Sequence, residues 1–244
     1  MTSSEIELLI RQLDADSTGD AEDAQAALTH RGRETDVITP LLRALPTLNS
    51  FGQLCAIEIL QELGEARAGQ PLTDLLTSEH DTVREWSARA LGQLRVVDAI
   101  PALWRAYQAC KERGDRPDWL EPNSIRSALT ELGARHPVVP PLTASLRITT
   151  SYGHEAWPST RLTHVLDDLA AHGQATLDFQ LWRVEPDGRM YWIQAPHDDT
   201  ELDYSQPWAT LARQAHSRAM TAAVRAAVGA DVVATIEWIG RSDL

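Results

Sequence analysis

Asp81-Thr82-Val83-Arg84-Glu85-Trp86-Ser87-Ala88-Arg89-Ala90-Leu91-Gly92, followed shortly by Ala99-Ile100-Pro101-Ala102-Leu103, decides how the N-terminal part of this chain folds. Val83, Trp86, Ala90 and Leu94 recur at helical spacing and form one apolar face. Gly92 is expected to stop this first helix, A, in a left-handed conformation. Pro101 opens a second helix, B, where its missing N–H costs nothing. Working outward, the same punctuation recurs. Before it come Ala24–Leu28, Gly32 and Pro40, then Ala56–Leu60, Gly64 and Pro71. After it come Ile125–Leu129, Gly133 and Val138-Val139-Pro140-Pro141-Leu142. A lone hairpin of this kind cannot bury its apolar faces, whereas a stack can. About four hairpins are predicted, with Glu5–Leu13 as a leading cap helix. Residues 108–123 read as an insertion that lengthens the last interval between the aligned prolines.

The segment 81–92 with 99–103 resembles the HEAT repeat of the bilin-lyase-like type, and the resemblance extends over residues 1–146. It implies an α-solenoid with a binding surface and no particular activity. Scaffolds, inhibitors, chromophore lyases and some DNA glycosylases share such repeats.

After residue 146 the period ends, and residues 147–244 read as a separate α+β domain. Leu146, Ile148 and Thr150 suit either a strand or a linker. A helix follows from Ser159 with Leu162, Val165, Leu166 and Leu169 on one face, closed by Gly173. Leu177, Phe179 and Leu181 alternate into a hairpin whose turn is Pro186-Asp187-Gly188 and whose return is Met190–Gln194. A long alanine-rich helix from about Pro207 to Val228 precedes a last strand, Val232–Trp238. With the first strand present, this is the ferredoxin-like β-α-β-β-α-β order.

Charge narrows the function. The 35 acidic and 22 basic residues leave a net charge of −13. Residues 1–146 alone carry 14 basic and 22 acidic residues, a net of −8. Nucleic-acid binding needs cations to displace counterions from phosphates, so it is not expected. A basic protein partner fits better through steering. No apolar run is long enough to span a bilayer. The N-terminus lacks the pattern of a secretory signal, so a cytoplasmic protein is expected. Cys55 and Cys110 sit inside helical patterns and read as buried and inert.

Catalytic signatures are missing: there is no Gly-x-Ser-x-Gly elbow, phosphate-binding loop, dinucleotide fingerprint or paired-histidine zinc motif. No catalytic residue, metal or cofactor is assigned. His154-Glu155 in the interdomain stretch is the one histidine position considered for catalysis. Two groups are read as partner-binding. Trp104, Arg105 and Tyr107 on a B helix, with Trp119 in the insertion, suit an interface hot spot. Asp198, Asp199, Glu201 and Asp203 form an acidic loop for a basic partner or, less well, a hard cation. The functional expectation is a non-catalytic protein-binding module, in its most concrete form an immunity- or antitoxin-like inhibitor. A HEAT-repeat enzyme or accessory subunit and a small-molecule-sensing adaptor are the alternatives.

Overall fold

The computed structural model describes residues 3–15, 17–196, 198, 200–226 and 229–244. The chain divides into two compact units, Met1–His136 and Pro137–Leu244.

The first unit is helical. Its A helices are α2 (Thr18–Gly32), α4 (Ser50–Glu62), α6 (Asp81–Gln93) and α8 (Leu120–Glu131); its B helices are α3 (Ile38–Ala44), α5 (Gly69–Leu75) and α7 (Ile100–Arg113). The cap helix α1 (Ser3–Gln12) buries Ile6 and Ile10 against them. Pro40, Pro71 and Pro101 lie in the first turns of α3, α5 and α7, as their missing N–H groups favour. One apolar core runs through the unit from Ile6 to Leu129, including Leu28, Leu60, Leu91 and Leu103.

The glycines divide into two roles. Gly64 and Gly133 take left-handed conformations (φ +63° and +70°) just after α4 and α8, as expected of helix stops. Gly92 does not. It lies inside α6, and the left-handed residue after that helix is Arg95 (φ +56°). What Gly92 provides is proximity, since a Cβ there would sit 2.9 Å from Ala128 Cα on α8. The α6–α8 contact therefore depends on a missing side chain.

Residues 108–113 of the insertion extend helix B, 114–119 form the connection, and 120–123 are the first turn of α8. Helices α3 and α5 have seven residues each, whereas α7 has fourteen and ends at the left-handed Gly114. Three complete hairpins are formed, and α8 closes the stack as a final A helix. Pro141–Leu146, read from sequence as the fourth B helix, forms α9 and belongs to the second unit. There Thr143 donates from its N–H (2.7 Å) and hydroxyl (2.9 Å) to Asp168 Oδ2, and Thr143 O accepts from Trp157 Nε1 (2.8 Å).

The second unit is an antiparallel sheet with helices. Its strands are β1 (Ile148–Thr149), β2 (Glu155–Pro158), β3 (Ala175–Val184), β4 (Met190–Ile193) and β5 (Val232–Ile239), in the order β1-β2-β5-β3-β4. Helices α10 (Leu162–Ala171) and α11 (Trp208–Arg225) bury Leu162, Leu166, Ala219 and Ala222 with Phe179, Leu181 and Ala234 of the sheet. The strand expected over 146–150 is the two-residue β1. A further strand, β2, not expected from the sequence, precedes α10. The expected order holds from α10 onward, but the ferredoxin-like pairing is not formed. In that arrangement the hairpin return β4 would lie between the strands flanking α10. Here β5 lies there and β4 is an edge strand. Burial gives the reason: Val232, Val233 and Ala234 are buried on both faces of β5, while Tyr191 and Trp192 of β4 are exposed. The sheet also curls, and Ser151, beside β1, donates its hydroxyl to Gly188 O (2.5 Å) in the turn leading into the opposite edge strand. The last residue expected in the long helix, Val228, lies outside the described residues. No described helix is long and apolar enough to cross a membrane.

Candidate protein-binding surface of the helical unit

The A helices α2, α4 and α6 turn one face to the core and leave an open groove on the other. Helical spacing places Phe51, Leu54, Cys55, Glu58 and Glu62 of α4 along it. Helix α2 supplies Glu22, Gln25, Thr29 and His30, and Trp86 of α6 forms the far wall. The groove holds about 650 Å³. Gln25 Nε2 donates to Glu58, tying the first two helices together. Glu22 and Glu62 are exposed and make no ion pair among the described residues. Thr29 Oγ1 is buried here and finds no hydrogen-bond partner among the described residues. Trp86 is partly buried against the core, with the Arg89 guanidinium 4.7 Å from its ring centroid. Cys55 lines the groove as a thiol. Burial, then the charges of Glu58 and Glu22, push its pKa up to about 11.

On the other side of α6 is a charged network. Arg84 donates from Nε (2.8 Å) and Nη2 (2.6 Å) to the two oxygens of Glu121 in a bidentate pair. Arg113 Nη2 adds a bond to Glu121 (3.0 Å) and one to Asp115 (2.6 Å). Burial raises the Glu121 carboxyl pKa, but the hydrogen bonds and charges of Arg84 and Arg113 outweigh it and hold the group below its ordinary value. Cys110, Asp115 and Glu121 bring three potential metal-ligand atoms within 4.8 Å of one another. The Arg113 guanidinium already bonds to all three, to Cys110 Sγ at 3.2 Å. Burial, then the Glu121 charge, push the Cys110 thiol up to about 12, so it offers no thiolate. This network joins α6, α7 and α8 and fastens the extended end of α7.

The residues read from sequence as partner-binding are dispersed. Trp119 is 50% exposed and lines a cavity beside this network; Trp104, Arg105 and Tyr107 do not line that cavity. Trp104 is 42% exposed on α7, edge-on to Tyr107 at 6.2 Å. Tyr107, expected at the surface, is buried, because it shares a helix face with Leu103 and Cys110. Arg105 folds back on its own helix, donating to Pro101 O (3.3 Å). In the second unit, Asp203 accepts from Ser205 N and Oγ and from Gln206 Nε2, and Asp198 accepts from Thr200 N. Their carboxylates thus cap their own turns. The Glu201 carbonyl accepts from Gln214 Nε2. Asp199 lies outside the described residues. His154 lines a cavity of about 480 Å³ on the curled sheet with Tyr152, Glu155, Trp182, Met190 and Thr235. The α2–α4–α6 groove was not singled out from sequence. The stripe Phe51, Leu54, Glu58, Glu62 was legible, but its neighbours across the helices were not.

Residues 38–116 match the family model of HEAT repeats, so the chain contains a HEAT-repeat segment. Repeat stacks of this class present extended surfaces suited to protein interaction. No curated protein matches the sequence at a significant level.

Proposed function

We propose that this protein is a non-catalytic binding module whose row of A helices holds a basic segment of another protein. The observation that carries the reading is the α2–α4–α6 groove. It combines the unpaired carboxylates Glu22 and Glu62 with the apolar walls Phe51, Leu54 and Trp86 in a HEAT-repeat unit. Aromatic walls supply contact area, and unpaired carboxylates on the rim favour a cationic partner and speed its approach.

The test uses the full chain and fluorescent peptides of matched length with basic, neutral or acidic side chains. Basic peptides bind, and Glu22→Gln/Glu62→Gln weakens them about ten-fold at low salt, with a gap that narrows as ionic strength rises. Equal binding of acidic and basic peptides would sink the reading. The most concrete form of the function is inhibition, in which the module neutralises a basic effector by covering its working surface. Cells that co-express such an effector then survive with this protein and lose protection with the double variant. Equal killing in both cases removes the inhibitor form and leaves the binding form to the peptide result.

A further inference from the structure

A second cavity, of about 470 Å³, opens between α6 and α8. Its lining includes the carboxylates of Asp81, Glu85, Asp115, Asp118 and Glu121 and the guanidiniums of Arg84 and Arg113. Three of the carboxylates are matched. Glu121 is held by Arg84 and Arg113, Asp115 by Arg113, and Asp118 by Arg116 at 2.7 Å. Two are not. Among the described residues, Asp81 Oδ1 accepts only from the N–H and hydroxyl of its neighbour Thr82. Glu85 is 8% exposed and has no hydrogen bond or ion pair with any described residue. Burial raises its pKa; Arg89 opposes the shift, and the charges of Asp81 and Glu121 add to it. Its carboxylate, without a donor among the described residues, borders the cavity, where a ligand's donor can meet it. At the mouth stand Trp119 and Leu120, 50% and 69% exposed.

We infer that this cavity is the socket for one arginine side chain of a partner protein. Its guanidinium donates to Glu85, lies against the Trp119 indole and is flanked by Asp81. With Glu121, Asp115 and Asp118 matched by Arg84, Arg113 and Arg116, the charges of Asp81 and Glu85 remain, the second partly offset by Arg89, and they favour a further cation. A socket of this volume exceeds the needs of a bare metal ion. An aromatic face beside a carboxylate favours a planar, weakly hydrated guanidinium over an ammonium. The apolar rim at Leu120 gives the chain around that arginine a contact surface, in the manner of an interface anchor. The inference extends the reading of the A-helix row as a protein-binding face, since α6 borders both the groove and the socket.

The probes are N-acetyl-arginine methylamide and its lysine counterpart, added to the full chain and followed by calorimetry and by the Trp119 indole N–H resonance. The arginine probe saturates and moves the Trp119 signal, and it binds about ten-fold tighter than the lysine probe. Glu85→Gln weakens it by about ten-fold or more. This variant removes an unpaired buried charge and therefore folds at least as well as the parent, so lost binding is not lost structure. Glu22→Gln/Glu62→Gln leaves the probe unaffected. Equal binding of the lysine probe, or unchanged affinity in Glu85→Gln, overturns the inference. Saturable arginine binding by a protein that ignores basic peptides overturns the groove reading and leaves the socket standing. Binding of basic peptides without probe binding does the reverse.

Discussion

Glu121→Gln is expected to cost the helical unit about 3–5 kcal/mol of stability. The substitution keeps the shape and removes only the charge. Arg84 then stays in place with its side chain 14% exposed and its bidentate partner neutral. An unpaired guanidinium at that depth loses solvation without recovering it from a carboxylate. Arg113 suffers less, since it retains Asp115 and is more exposed. Hydrogen exchange of α6 and α8 amides in the full chain reads the effect, because those helices meet at the network. Arg84→Met/Glu121→Leu is expected to recover most of the loss, since an apolar pair of similar volume removes both charges together. Unchanged exchange in Glu121→Gln would show that the pair does not stabilise the stack. The pH dependence has a defined sign. The folded carboxyl titrates below its ordinary value of 4.5, so the unfolded chain takes up a proton first. The contribution is therefore whole above that value and is lost as pH falls through the folded pKa. Glu85 runs the other way. Its raised pKa means that stability falls as pH rises from its ordinary range through the folded value. Acid destabilisation should accordingly be shallower in Glu121→Gln than in the parent.

What could be read from the residues follows the range of the interactions that decide each feature. The hairpins of the helical unit were legible because periodicity and proline act locally, within a turn or two of the chain. Gly92 departs from its local signal for the complementary reason. Its local signal is a helix stop, but its environment is set by Ala128 on another helix. Pro140-Pro141 likewise marked a helix start correctly and a partner wrongly, since docking against Asp168 and Trp157 is a tertiary choice. Strand order was hidden in the same way. The hairpin and the last strand were legible from alternation and β2 was not, and placing β5 inside and β4 at the edge depends on cross-strand burial that alternation alone does not encode. The site shows the same limit. Tyr107 had a spacing with Leu103 and Cys110 that marks a core position, and its aromatic character drew the interface reading instead. The unpaired state of Glu85 has no sequence signal, because it is defined by which cations fail to reach it.

Trp157→Ala is expected to destabilise the sheet unit by about 3–5 kcal/mol. Trp157 is 2% exposed and packs with Val165 and Leu169 of α10. Its ring lies edge-on to Trp238 with centroids 5.7 Å apart. The two indoles also fix the segment that enters the unit: Trp157 Nε1 donates to Thr143 O, and Trp238 Nε1 donates to Val138 O at 3.1 Å. Truncation thus removes a large apolar volume, one half of an aromatic pair and the donor to a buried carbonyl at once. Trp157→Phe separates these effects. It keeps much of the ring and loses the donor, and is expected to cost about 1–3 kcal/mol. The measurement is urea unfolding with hydrogen exchange on the β3 amides, where the sheet core reports directly. In Trp157→Ala the amides of α9 should exchange faster as well, since Thr143 then keeps only its bonds to Asp168. If Trp157→Ala left β3 protection intact while loosening α9 alone, the indole would serve as a clamp on the entering segment and not as part of the core. If both stayed protected, neither role would hold, and the recruitment of Pro141–Leu146 into this unit would rest on the Thr143–Asp168 pair.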